Sequence, residues 1–366
     1  MSYRWIHMRT VDPGAGLDVV DGKWLNLWWA ALAAADESIQ GGPLAPAWLQ
    51  LFEAHLSGSE TTMLRWRGHL GESAEMRRAY SGMYGRYFAR AVLTAELGIT
   101  LFVPLQTNTT AIPGGVTVTR VGSGDIPDWI AWDPGAGCHA LCEAKGRLSE
   151  SEGRFLYGKP GCIDPGKAQF DKVEVTDSSG RRIATRNWIA ANLWSTERVK
   201  RKPVSLLRDP PGEGEELTRE EAQRHAQAMR RQRDATVAAR LGNPERRVRI
   251  AITPSDDDMG TRSVQAAEDS RSGATERSSR EPHEGDYLAA VITPLGVRPI
   301  RDEDDLQAAL AMREHAGDTG EPAMIFGLAK AGPQTSKASE LPWLSENGIA
   351  SPDGLSLFNL RNVEIG

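Results

Sequence analysis

Gly124-Asp125-Ile126-Pro127-Asp128-Trp129-Ile130-Ala131-Trp132-Asp133-Pro134-Gly135-Ala136-Gly137-Cys138-His139-Ala140-Leu141-Cys142-Glu143-Ala144-Lys145-Gly146 alternates apolar run, turn and apolar run. Trp129 to Trp132 reads as one strand of a β-hairpin, and His139 to Cys142 leads into the other. Between them Asp133 to Gly137 is turn chemistry: Pro134 pre-sets φ, and the glycines accept φ > 0. If Asp133 pairs with Cys138 across a four-residue loop, paired residue numbers sum to 271, and Asp128 falls opposite Glu143. Directly opposed Cβ atoms lie roughly 4.5–5.5 Å apart, so both carboxylates can reach one cation. Lys145 shares the face of Glu143 because strand side chains alternate with period two. Two acids and a lysine among Trp, Ile and Leu are costly to desolvate unless something compensates them, and a hydrated divalent metal would.

Pro127-Asp128, a spacer, then Glu143-Ala144-Lys145 resembles the PD-(D/E)XK phosphodiesterase superfamily, the restriction-endonuclease-like nucleases. The flanking sequence strengthens the likeness. Upstream, Gly85 to Leu97 reads as a helix closed by Gly98 as C-cap, and Ile99 to Val103 as a strand. Downstream, Pro165 to Val175 reads as a short helix with Asp164 as N-cap and Pro165 in its first turn. Asn187 to Trp194 reads as another strand. Helix, three strands, helix, strand is the order of that superfamily's core, here over about residues 80–195. The resemblance implies an α/β fold: a restriction-endonuclease-like mixed β-sheet flanked by helices. It also implies Asp128, Glu143 and the Ala144 carbonyl as metal ligands, Lys145 as a catalytic residue, and Gln169 in the part some subfamilies give a second-helix Gln. Where many members carry a further acid on the first helix, this chain has Ala89 and Arg90, with Glu96 nearer the helix end.

These residue types suit phosphodiester hydrolysis, in which a water must attack an anion. Two carboxylates and a carbonyl are oxygen ligands for Mg²⁺ or Mn²⁺. Such an ion acts as Lewis acid and lowers the pKa of its water. Lys145 would position or deprotonate that water, or stabilise the pentacovalent phosphorus. The plainer alternative is a Glu143–Lys145 ion pair on an exposed strand, with Asp128 capping a turn.

The chain has 366 residues, 40% of them apolar, and eleven Trp, enough for more than one core. Lacking a run of eighteen apolar residues, it has no expected membrane partner. Met1-Ser2-Tyr3-Arg4-Trp5 has no signal-peptide profile, and three cysteines without a C-x-x-C suit a reduced, cytoplasmic protein. A formal charge of −6 argues against general nucleic-acid stickiness. From Arg181 to Arg249, however, 17 Lys/Arg face 9 Asp/Glu. Lys200, Arg201 and Lys202 are candidates there for holding a phosphate backbone, as are Lys159 and Lys167 in the glycine-rich loop after the Glu-x-Lys strand. The bland reading of the basic segment is a solvated helix face paired with its own acids. Gly153 to Lys159 and Gly161 to Lys167 both fit G-x-x-x-x-G-K, but Pro160 and Ala168 stand where a phosphate-binding loop needs Ser or Thr.

Three segments are expected. Residues 1–76 read as a Trp-rich helical region, with helices from Leu17 to Ile39 and from Ala45 to Leu56. Residues 77–200 read as the nuclease-like core. Residues 201–366 combine a basic helix with an α/β extension: Thr218-Arg219-Glu220-Glu221 is a capping box, and the helix runs to Leu241 before Gly242. Val248 to Ile252, Tyr287 to Ile292 and Ala323 to Gly327 read as strands, Asp304 to His315 as a helix, and 255–285 as a disordered loop. The combined expectation is a Mg²⁺- or Mn²⁺-dependent endonuclease acting on DNA, with RNA an open alternative. Its role would be restriction, antiviral (phage) defence or repair, as a homodimer or with a partner subunit of a defence system. The competing expectation is a non-catalytic nucleic-acid-binding or assembly subunit that keeps the fold.

Overall fold

The computed structural model describes residues 5–10, 23–41, 56–58, 64–66, 73–106, 108–148, 162–194, 204–210, 212–241, 248–252, 283–293, 296–319, 324–329, 343–345, 348–351, 353, 355–359 and 363–365. The fold is mixed α/β, with five helices among the described residues. The chain divides into two compact units.

One unit contains residues 5–25 and 55–233. Its main sheet is built on the quoted hairpin, β8 (Trp129–Asp133) and β9 (Cys138–Leu148). Asp133 pairs with Cys138 and Trp129 with Cys142, the register the turn predicts. The turn is held locally: Asp133 accepts from the Ala136 N–H (3.0 Å) through Oδ1 and from the Gly137 N–H (2.9 Å) through its carbonyl, with Gly137 at φ 64°. On one side β5 (Phe102–Pro104) pairs antiparallel with β8. On the other, β11 (Thr185–Trp194) runs parallel to β9, and β12 (Val204–Arg208) antiparallel to β11. The edge is made by β1 (Trp5–Thr10), parallel to β12, and β2 (Lys23–Asn26). The full order is β2-β1-β12-β11-β9-β8-β5.

The edge corrects the reading of Leu17 to Ile39 as one helix. Lys23–Asn26 is strand, and α1 starts at Leu27 and ends at Gly41; pairing with β1 overrides the local helical pattern. Residues 45–55 of the expected second helix lie outside the described residues, and its last residue, Leu56, instead opens β3 (Leu56–Gly58), paired with β4 (Leu64–Trp66).

One face of the large sheet carries α2 (Ala74–Leu97), which packs on β9 and β11. Ser73 caps its start, its side chain accepting from the Met76 N–H, and Gly98 at φ 66° closes it. The other face carries α3 (Ile163–Phe170), against β11 and β9. It also carries a small sheet of β6 (Thr109–Ile112), β7 (Val116–Arg120) and β10 (Val173–Thr176). Leu141, Ile189, Leu206, Ile163, Phe170, Val118 and Val175 share one core there. The expected helix from Pro165 to Val175 is therefore two elements. Its N-cap is Cys162 and not Asp164, and it ends at Phe170. Val173 and Val175 are buried while Glu174 and Thr176 are half-buried, the alternation of a strand one of whose faces meets the core.

α4 (Arg219–Leu241) begins with the expected capping box: the Thr218 N–H donates to Glu221 (2.8 Å) and the Glu221 N–H to Thr218 Oγ1 (3.3 Å). Its first turns bury His225 and Met229.

The second unit, residues 26–54 and 234–366 with the first four residues, carries an antiparallel sheet. It contains β13 (Val248–Ile252), β14 (His283–Thr293), β15 (Gly296–Ile300) and β16 (Met324–Ala329). β17 (Trp343–Ser345), β18 (Gly348–Ala350), β19 (Leu355–Asn359) and β20 (Val363–Ile365) complete it. α1 packs on β18 and β19, while α5 (Glu303–Thr319) packs on β15 and β20. Tyr287, Phe358, Ile325 and Leu306 centre its core. Most of the loop expected at 255–285 lies outside the described residues, and its end, His283 to Gly285, belongs to β14. No described helix is long and apolar enough to cross a membrane.

Candidate active site at the mouth of the hairpin

β8 begins at Trp129, so Asp128 sits one residue before it and continues the register opposite Glu143. Extending the register once more sets Pro127 opposite Ala144. Proline has no N–H to give the Ala144 carbonyl, and the Ala144 N–H donates to Asp128 Oδ2 at 2.8 Å. In extended backbone one residue's N–H and C=O point to the same side. The Ala144 carbonyl thus lies on the edge that Asp128 occupies.

Glu143 is 2% exposed. Its Oε1 accepts from Lys145 Nζ, while its Oε2 is buried without a hydrogen-bond partner. A bare carboxylate oxygen inside a protein costs several kcal/mol. Burial, seconded by the negative charge of Asp128, pushes the Glu143 carboxyl up to about 8, with Lys145 acting the other way. Lys145 also donates to Gln169 Oε1 at 2.7 Å, and Gln169 Nε2 donates to the Ile126 carbonyl at 3.2 Å. These two bonds fix which end of the amide faces the lysine. The lysine stem passes over Gly166, where an added Cβ would meet Ile189 Cδ1 at 3.3 Å and Lys145 Cε at an ordinary 3.5 Å.

The sequence reading brings Asp128, Glu143, Ala144, Lys145 and Gln169 to this locus, and the structure places all five there. Lys167 is half-buried on α3. Lys159, Lys200, Arg201 and Lys202 lie outside the described residues. Glu96 is half-buried in the last turn of α2, and the contacts of Asp128 run to other residues.

Arg86 is the residue that sequence reading misses. Its guanidinium is ion-paired with Asp128 Oδ1 and lies 4.1 Å over the Trp129 ring. It is delivered there by a close helix–strand approach. An added Cβ at Gly85 would lie 2.4 Å from Gly146 Cα, and one at Gly146 would lie 1.8 Å from the Ser81 carbonyl oxygen. The Gly85 carbonyl also accepts from Asn192 Nδ2 at 3.3 Å. Its position directly after Gly85 is the one sequence signal that could have pointed to Arg86.

Metal-ligand chemistry fits the pocket in part. Among the described residues no three His, Cys, Asp or Glu side chains gather as a metal cage. Mg²⁺, however, keeps several waters and commonly binds through one or two carboxylates. The orphaned oxygen of Glu143, the Asp128 carboxylate and a carbonyl on the same edge form such an open donor set.

Behind the site, His139 Nε2 lies 3.2 Å from His225 Nδ1 of α4, and Trp132 meets the His139 ring edge-to-face. Burial, then the neighbouring His225, pushes His139 down to about 3. In the basic segment, Arg181 is ion-paired with Asp177 and Glu221, and Arg182 with Glu213 at 3.1 Å. Compared with known proteins, the chain matches no family model, no curated protein and no solved structure.

Proposed function

We propose that this chain is a divalent-metal-dependent nuclease that hydrolyses phosphodiester bonds in DNA, with a restriction-endonuclease-like core. One observation carries the reading. Two carboxylates stand opposite each other at the open end of a hairpin, one with a buried, unpartnered oxygen, beside a lysine held by Gln169. The order α2, β5, β8, β9, α3, β11 is the order the PD-(D/E)XK resemblance implies, with β6, β7 and β10 as insertions.

In this reading Asp128, Glu143 and the Ala144 carbonyl hold Mg²⁺ or Mn²⁺. The ion, when bound, supplies a Lewis acid and a water of lowered pKa. Lys145, which donates to both Glu143 and Gln169, acts as the cation of the site in this reading. It stabilises charge gathering on the phosphate as water oxygen bonds to phosphorus and a P–O ester bond breaks. Gln169 is a positioning residue, turned by the Ile126 carbonyl to present its oxygen to that ammonium.

A second reading, a non-catalytic nucleic-acid-binding or assembly subunit, is favoured by one observation. Each carboxylate already carries an internal cation, Arg86 on Asp128 and Lys145 on Glu143. The two readings separate when the purified protein is incubated with Mg²⁺ or Mn²⁺ and plasmid, linear DNA, single-stranded DNA or RNA. Asp128→Ala, Glu143→Ala and Lys145→Ala are run in parallel. Metal-dependent cutting by the wild type, lost in all three variants, supports the nuclease. Equal cutting by all forms refutes this site, and binding without cutting favours the scaffold.

A further inference from the structure

We infer that Arg86 is a built-in competitor for the divalent ion, and that the same guanidinium, once displaced from Asp128, becomes a phosphate-binding group. The inference rests on the nuclease reading and adds to it a coupling between metal occupancy and substrate affinity.

Three observations support it. First, both oxygens of Asp128 are engaged within the protein, Oδ1 by Arg86 and Oδ2 by the Ala144 N–H. The N–H bond is part of the hairpin edge and leaves other lone pairs of the carboxylate available. The guanidinium is different, because it is itself a cation at the oxygen a dication would use, and two cations there repel. Second, Arg86 is not held by Asp128 alone. Its stack on Trp129 at 4.1 Å gives it an anchor that survives loss of the ion pair. Trp129 is fully buried, so that platform is rigid. Third, Arg86 and Asp128 are 28% and 26% exposed, so the pair stands at the rim, within reach of an incoming anion. A planar guanidinium suits bidentate phosphate recognition. The Gly85–Gly146 approach fixes the helix that carries Arg86, so the exchange needs only its side chain to move.

The consequence is ordered use of one positive charge. Without metal, Arg86 neutralises Asp128 and preserves the site. With metal, Asp128 turns to the ion, and Arg86 is released to the phosphate next to it.

The test is metal titration by calorimetry with Mn²⁺ and no nucleic acid, on wild type, Arg86→Gln, Arg86→Met and Glu143→Gln. Circular dichroism and melting confirm that each variant folds. Removing a competing charge-assisted contact should tighten Mn²⁺ binding about tenfold in both Arg86 variants, while Glu143→Gln weakens it. DNA affinity is then measured in Ca²⁺, as a probe ion without turnover, and in EDTA. The Arg86 variants should bind DNA more weakly than wild type in Ca²⁺, with a log-log salt slope about one unit shallower, and equally in EDTA. Unchanged or weaker Mn²⁺ binding in the Arg86 variants, with Glu143→Gln still impaired, overturns the competition while leaving the nuclease reading intact. Mn²⁺ binding that is absent, or indifferent to Glu143, overturns both. Tighter metal binding without a Ca²⁺-specific loss of DNA affinity refutes the phosphate role.

Discussion

Gly146→Ala tests whether the close approach of α2 to β9 supports the site. The added Cβ would sit 1.8 Å from the Ser81 carbonyl oxygen and 2.7 Å from Gly85 Cα. Ordinary contact begins near 3.4 Å, so helix and strand must part by about 1.5 Å, and both offending atoms are backbone that no rotamer change can move. Overpacking of a well-fitted interior typically costs about 1–3 kcal/mol, and a backbone clash belongs at the upper end. For a unit of this size, about 3 kcal/mol corresponds to a melting shift of roughly 6–12 °C. Because the chain forms two compact units, the readout should report the hairpin unit. Amide exchange of β9 and β11 by mass spectrometry serves, alongside the melt. The control is Gly82→Ala on the same helix, where an added Cβ meets nothing within 4 Å. Removing a helix-interior glycine there should stabilise by about 0.5–1 kcal/mol. A Gly146→Ala protein that melts within a degree or two of wild type, or a Gly82→Ala protein equally harmed, would show that the helix–strand approach at Gly146 does not support the site.

Two further outcomes are expected. His139 is held neutral by burial and by His225, with Trp132 on its other side. The unfolded chain therefore binds more protons between about pH 3 and 6.5, and stability falls as pH drops through that window and is flat above it. At pH 4.5 this group alone should cost about 2.5 kcal/mol, so the stability gap between pH 7 and 4.5 should shrink by that order in His139→Gln. An unchanged gap would show that His139 is not the sensor. Thr218→Ala should remove the bond from the Glu221 N–H to Thr218 Oγ1, keep the one from the Thr218 N–H to Glu221, and cost about 1 kcal/mol. The loss should appear as faster amide exchange in the first turn of α4, and exchange equal to wild type would mean the cap is idle.

How much was legible in the sequence follows from the distance over which each feature is decided. The hairpin register was readable because Asp133 to Gly137 carries its own turn chemistry and alternation propagates that register outward to Asp128 and Glu143. The capping box and the Gly98 stop were readable for the same reason, being settled within four or five residues. The stretch from Pro165 to Val175 misled because a helix turn and a four-residue strand abut there, and both supply apolar residues to one core. Lys23–Asn26 misled because its strand state depends on β1, and β1 depends on β12 nearly two hundred residues away.

Residue order alone sets which groups face each other across the hairpin: two acids opposite and a lysine two residues on. What surrounds them comes from the rest of the fold. Arg86 reaches Asp128 across 42 residues, His225 reaches His139 across 86, and Gln169 turns its amide to Lys145 across 24. Local chemistry sets φ, ψ and alternation. Contacts between remote segments are set by how closely a helix can lie on a sheet, which here depends on two glycines on different elements, Gly85 and Gly146, meeting backbone to backbone.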